Sequence, residues 1–171
     1  KGVQSALIDD QATYTLPRGK VLWGNAKDYM RESAQNSDSI WFIDNNEIKV
    51  IPKKKALPNE AMVLTSKTGL VGSPQQTVNG INLKCLINPT IQVAGLVKLD
   101  NSTVQKMKID LNTVGTANNI PHPLSPDGIY YVFTMEHQGD TRGVDWYTNL
   151  FCIGIDQTLK PYNQVMVNYA W

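Results

Sequence analysis

Two histidines are the first residues whose chemistry must be weighed. His122 stands between Pro121 and Pro123, and His137 lies three positions before Asp140. A His–Asp pair activates a nearby serine or threonine in acyl transfer, but no Gly-x-Ser-x-Gly string accompanies this one. His137, Asp140 and Asp145 together offer one imidazole and two carboxylates, a set able to hold a divalent cation. The same three residues equally suit a strand end and the turn after it, and that structural reading is preferred. His122 reads as an exposed loop side chain. A glycosidase needs two carboxylates across a cleft. Asp100, Asp110, Asp127, Glu136, Asp140, Asp145 and Asp156 supply the residue type, but spacing alone unites no pair of them. Gly69-Leu70-Val71-Gly72 lacks the Lys-Ser/Thr of a phosphate loop. Cys85 and Cys152 sit inside apolar segments and read as reduced core thiols; their wide separation is no zinc pattern. These observations point to no catalytic residue, no cofactor and no metal.

One string is more distinctive. Gly139-Asp140-Thr141-Arg142-Gly143-Val144-Asp145-Trp146 brackets a charged tip with two glycines and then opens a strand on a bulky aromatic. Aspartate at a turn start and glycine at positive φ suit a hairpin connection. The spacing places Arg142 within reach of Asp140 and Asp145, so an ion pair is expected there. Trp146 is expected to pack into the core beside the strand over 129–135.

The elements that must position these residues follow from composition and periodicity. The chain has 171 residues, 42% of them hydrophobic, which suffices for a packed core in one domain or two small ones. Sixteen basic and fifteen acidic residues give a net charge of +1, arguing against nucleic-acid binding driven by phosphate neutralisation. No continuous apolar run approaches the roughly 18 residues that span a bilayer, Ile40–Ile43 included. The start at Lys1-Gly2-Val3, without Met or a signal-peptide pattern, reads as a fragment or a processed product.

Residues 1–19 are weakly patterned. Asn25 suits an N-cap, Asp28 favours a helix N-terminus, and Ala26, Tyr29, Met30, Ser33 and Ala34 recur at helical spacing, predicting a helix over about 26–36. Ser39–Ile43 and Ile48–Ile51 flank Asp44-Asn45-Asn46-Glu47, which predicts a β-hairpin over 39–51. Lys53-Lys54-Lys55 and Pro58 then read as a solvated connector, an exposed hinge that trypsin should cut first. Beyond residue 60 short strands are expected near 62–65, 80–86, 91–93, 96–99, 106–111, 129–137 and 145–153, with a glycine-punctuated bend at 68–72 and a long loop over 112–128. The spacing suggests a closed or nearly closed antiparallel barrel. The fold class is therefore mainly β, α+β overall: a small helix-plus-hairpin domain over 1–55, an antiparallel barrel over 60–156 and a tail over 157–171.

Several blocks, in this order, carry a family resemblance: Gly19-Lys20-Val21-Leu22-Trp23-Gly24, Leu64–Pro74, Asn79-Gly80-Ile81, Leu86-Ile87-Asn88-Pro89, Gly95–Asp100, Asp127-Gly128-Ile129-Tyr130, His137–Gly143 and Asp145-Trp146-Tyr147-Thr148. Over roughly 18–156 the chain resembles the C-terminal part of the baseplate hub proteins of contractile-tailed bacteriophages, of the Mu-like hub type. The resemblance implies a non-enzymatic virion component of the tail baseplate, assembled in the host cytoplasm. It implies a homotrimeric ring of hub copies, each giving two tube-type barrels, that joins the tail tube to the central spike. By that analogy residues 60–156 are the second barrel, residues 18–55 are an inserted domain, and the first barrel lies upstream. Nucleic-acid specificity and stable membrane insertion are not implied. Two other classes compete. In a carbohydrate- or cell-wall-binding β-module, Trp23, Trp41 and Trp146 would form a flat row of exposed rings. A tail-associated peptidoglycan hydrolase would need a carboxylate pair or a metal.

Overall fold

The computed structural model describes residues 4–9, 15–53, 55–107, 121 and 123–154. The chain divides into two compact units, Lys1–Leu57 and Pro58–Trp171.

In the first unit a three-stranded sheet is built from β1 (Gln4–Ile8), β2 (Ser39–Asp44) and β3 (Glu47–Pro52), with helix α1 (Ala26–Asn36) between β1 and β2 in sequence. The strand order is β1-β3-β2. The two-residue loop of the hairpin is formed by Asn45 and Asn46 at φ 50 and 67, the left-handed pair that a tight antiparallel connection needs and asparagine tolerates. β1 pairs in parallel with β3, a long-range partner that the weak pattern of residues 1–19 does not reveal. Helix α1 begins where expected, but Asn25 makes no side-chain cap; its backbone carbonyl accepts the Asp28 N–H instead, at 3.1 Å. Ser37 closes the other end, its hydroxyl donating to the Ser33 carbonyl at 2.9 Å.

The lysine run corrects one expectation. Lys53 forms an ion pair with Asp38 at 2.9 Å and donates its backbone N–H to the Asp38 carbonyl, and Lys55 pairs with Asp9. Both lysines are tied to the first unit rather than loosely solvated. Lys54 lies outside the described residues.

In the second unit six strands form one curled sheet, a half-barrel: β4 (Met62–Leu64), β5 (Leu70–Gln76), β6 (Ile81–Leu86), β7 (Leu96–Leu99), β8 (Ile129–Gly139) and β9 (Trp146–Gly154). Their order is β4-β7-β8-β9-β6-β5. All neighbours are antiparallel except β4 and β7, and the two end strands are not paired with each other among the described residues. The mainly β expectation holds, with an open half-barrel where the strand spacing suggested closure. Ile81, Leu83 and Cys85 alternate inward on β6, opposite Cys152, Leu150 and Thr148 of β9. Leu64, Val97, Leu99, Ile91, Val104, Tyr130 and Val132 complete this core.

Two elements differ from expectation. The stretch 68–72 is not merely a bend, since β5 starts at Leu70 and runs through the buried Pro74. Proline lacks a ladder donor and is tolerated here because the register with β6 shifts between Val71 and Gln75. Residues 91–93 are not a strand. Ala94 turns there at φ 65, and its N–H donates to the Val132 carbonyl. The strand expected over 106–111 and the long loop over 112–128 fall largely outside the described residues, as do His122, Asp110, Asp156 and the tail over 157–171. The end of that loop is described, and Gly128 turns at φ 68 where an added Cβ would collide with the Leu99 carbonyl.

Cys85 and Cys152 are both buried and reduced. Burial pushes both thiols up, and the neighbouring Cys85 adds to the effect at Cys152. In the unfolded chain the thiols ionise above about pH 8.5, whereas the folded chain keeps them protonated. Stability is therefore full below that pH and falls as pH rises, by up to about 1.4 kcal/mol per pH unit for Cys152. Urea unfolding between pH 7 and 10 should show the midpoint falling above pH 8.5, less steeply in Cys152→Ala. An unchanged midpoint across this range would contradict the assignment.

Candidate functional site

The long hairpin of β8 and β9 is the most prominent feature of the second unit, and a single extra residue sets its geometry. Val132 lies opposite Cys152 but Thr134 lies opposite Phe151, so Phe133 is a bulge. A bulge shifts the side-chain phase by one. Beyond it Met135 faces Leu150 and His137 faces Thr148, while Glu136 takes the other face beside Asn149. His137 is thus bonded across the ladder rather than to the turn, its Nδ1 lying 2.8 Å from the Thr148 hydroxyl. Thr148 is fully buried, and this bond satisfies it.

The base of the hairpin is held by a polar network. The Tyr130 hydroxyl donates to Asn101 Oδ1 at 2.6 Å, and Asn101 Nδ2 donates to the Ser125 carbonyl at 2.6 Å. Desolvation pushes the Tyr130 phenol up, against the opposing effect of a hydrogen bond with the Ser125 backbone. Asp100 caps the short turn at Asn101–Thr103 by accepting from the Ser102 N–H and hydroxyl, which lowers its pKa.

At the tip the backbone closes through Asp140 N–H to the Asp145 carbonyl at 2.9 Å. Asp140 Oδ1 accepts the Arg142 N–H at 2.9 Å. The expected ion pair is absent: the Arg142 guanidinium pairs with neither Asp140 nor Asp145 among the described residues, and Asp140 Oδ1 accepts the Arg142 backbone N–H instead. The bracketing glycines do not adopt positive φ. They are needed for space: a Cβ on Gly139 would stand 2.9 Å from the Trp146 ring, and one on Gly143 would stand 2.7 Å from Asp140 Oδ2. Trp146 is not in the core. It is 48% exposed and lies over Gly139, its cross-strand partner.

The outer face of the same sheet carries an open groove of about 860 Å³, lined by Val71, Lys84, Thr134, Glu136, Asn149 and Phe151 among others. The Lys84 ammonium lies 3.8 Å from the centre of the Tyr147 ring. Phe133 and Phe151 meet edge to face, ring centres 6.0 Å apart. In the first unit, Tyr29 pins the segment before α1 by accepting the Trp23 N–H at 2.7 Å and donating to the Trp23 carbonyl. Lys20 adds an ion pair with Glu32. Trp23 is left 90% exposed and Val21 equally so, while Trp41 is half-buried in the hairpin sheet. No feature of the sequence pattern announces that Tyr29 holds this segment.

No group of three His, Cys, Asp or Glu side chains able to hold a metal occurs among the described residues. His137, Asp140 and Asp145 are therefore not brought together as ligands. No described helix is long and apolar enough to cross a membrane.

The half-barrel exposes Val144 and Trp146 at its hairpin tip, and the first unit exposes Val21 and Trp23. Comparison with known families places the chain. The sequence profile of the family described as baseplate hub gp41 matches residues 8–106, which span parts of both units, and the chain belongs to that family. It is a structural component of a bacteriophage tail baseplate. The hairpin of β8 and β9 lies beyond the matched residues. No curated protein matches the chain.

The tip geometry orders three substitutions. Arg142→Ala should cost no more than about 0.5 kcal/mol, since its side chain anchors nothing. Asp140→Ala should cost about 1 kcal/mol through the lost loop bond. Trp146→Ala should cost about 1–2 kcal/mol, as a half-exposed cross-strand cover rather than a core residue. Denaturant unfolding checks the order, and a loss of 3 kcal/mol or more at Trp146 would place that ring in the core after all.

Proposed function

We propose that the protein is a hub subunit of a contractile-tail baseplate, that it assembles as a homotrimer, and that the ring joins the tail tube to the central spike. The chain acts by assembly and not by catalysis. The observation that carries this reading is the family match across residues 8–106. The second unit supports it: a curled sheet whose two end strands are not paired with each other among the described residues suits a ring in which neighbours complete one another. The exposed Val21, Trp23, Val144 and Trp146 supply apolar contact area of the kind that interfaces bury. The proposed division is a domain over 1–55 and a barrel over 60–156, and the hairpin tip Gly139, Asp140, Arg142, Gly143, Asp145 and Trp146 is a structural motif.

The carbohydrate-module reading gains little. Trp23 and Trp41 belong to the first unit and Trp146 to the second, and Trp41 is half-buried. Light scattering on the intact protein should give three copies per particle, and purified tail tube and spike proteins should each be retained on the immobilised ring. A stable hexamer, or clearing of cell-wall suspensions by the pure protein, would overturn the reading.

A further inference from the structure

The charges of the two units are used differently. Every ion pair among the described residues lies in the first unit: Lys20–Glu32, Arg31–Asp28, Lys49–Asp44, Lys53–Asp38 and Lys55–Asp9. The second unit has none among its described residues, although Arg142 and Asp145 stand at the hairpin tip and Glu136 and Lys84 line the groove. The tip therefore carries an unpaired cation and anion, and the groove carries an anion and a cation. Only Lys84 is otherwise engaged, over the Tyr147 ring.

We propose that the tip of the β8–β9 hairpin docks into the groove of a second copy of this chain, with Arg142 on Glu136 and Asp145 toward Lys84. This rests on the hub reading and adds which surfaces meet. Shape and polarity agree with it. Val144 is 89% exposed at the tip, and the groove offers Val71 and Phe151 as apolar lining. The tip is held by three internal bonds, Asp140 N–H to the Asp145 carbonyl, Arg142 N–H to Asp140 Oδ1 and Gly143 N–H to the Asp140 carbonyl, so docking orders little that is not already ordered. Arginine and tryptophan at one rigid projection are the side chains in which binding energy concentrates. Tip and groove are different patches of one chain, so the contact is head-to-tail, the kind whose repetition closes a ring when the rotation between copies closes.

The test uses charge reversal in the full-length protein, with self-association followed by sedimentation. Arg142→Glu and Glu136→Arg should each weaken association about tenfold or more, through like charges brought together. The double variant should recover most of the loss, because the pair is restored with its sign inverted. Val144→Asp should weaken association without lowering the unfolding midpoint of the isolated chain. Single reversals that associate as the parent does, or a double variant no better than the singles, overturn the contact and leave the hub reading standing. A parent that stays monomeric overturns both. A parent that associates through this contact but holds neither tube nor spike overturns the joining role alone.

Discussion

The geometry of the second unit depends on one extra residue in one strand. Phe133 interrupts the alternation of β8, and everything toward the tip is set by that shift. Without the bulge, period 2 carried on from Val132 would aim Thr134 and Glu136 at the core and leave Met135 and His137 outside. Thr134 would then take the place of Met135 against Leu150, and Glu136 that of His137 beside the Thr148 hydroxyl. The bulge instead sends Met135 to the core, where it packs on the cluster around Leu150, and gives the buried Thr148 hydroxyl a partner in His137. Glu136 returns to the solvated face, where it lines the groove. The same phase shift thus closes the core and equips the surface.

Several polar side chains of this unit satisfy backbone and hydroxyl groups. His137 completes Thr148, Asn101 bridges Tyr130 to the Ser125 carbonyl, and Asp100 holds a single turn. Each of these side chains carries at least one bond that ties it into the fold. Two of them, His137 and Asp100, are residues whose types the sequence offers for chemistry, and the structure gives each a place in the fold.

Legibility in the sequence followed the range of the interactions involved. The hairpin of β2 and β3 and the alternation of Ile81, Leu83 and Cys85 were readable because turn chemistry and period 2 are local. β1 was not, since its pairing partner in β3 lies about forty residues away and its own pattern is weak. β5 was masked by Gly72 and Pro74, residues that end most strands but are absorbed here by a register shift. The face that Trp146 takes was misjudged because strand position alone does not show that its partner is Gly139. The phase of β8 was hidden in the run Ile129–Phe133, where consecutive apolar side chains carry no period. The lysine run looked solvated because the carboxylates that hold it, Asp9 and Asp38, come from distant positions in the chain.

The candidate surface was half readable for a related reason. Spacing in Gly139–Trp146 identified a turn of fixed form, but the forces fixing it are not those that the charges suggest. An aspartate between two glycines and near an arginine invites an ion pair. A backbone N–H two residues away needs no ordering of the arginine side chain to reach the carboxylate, and it is the bond that forms. The guanidinium is then left outside the loop's own bonding. The same logic holds Trp23 in the first unit: Tyr29 engages the backbone of that residue and leaves the indole outward. In both places the main chain is immobilised by bonds that do not consume the side chain. A main chain held in this way has little backbone entropy left to lose, so the cost of burying either residue would lie in its side-chain rotamers alone.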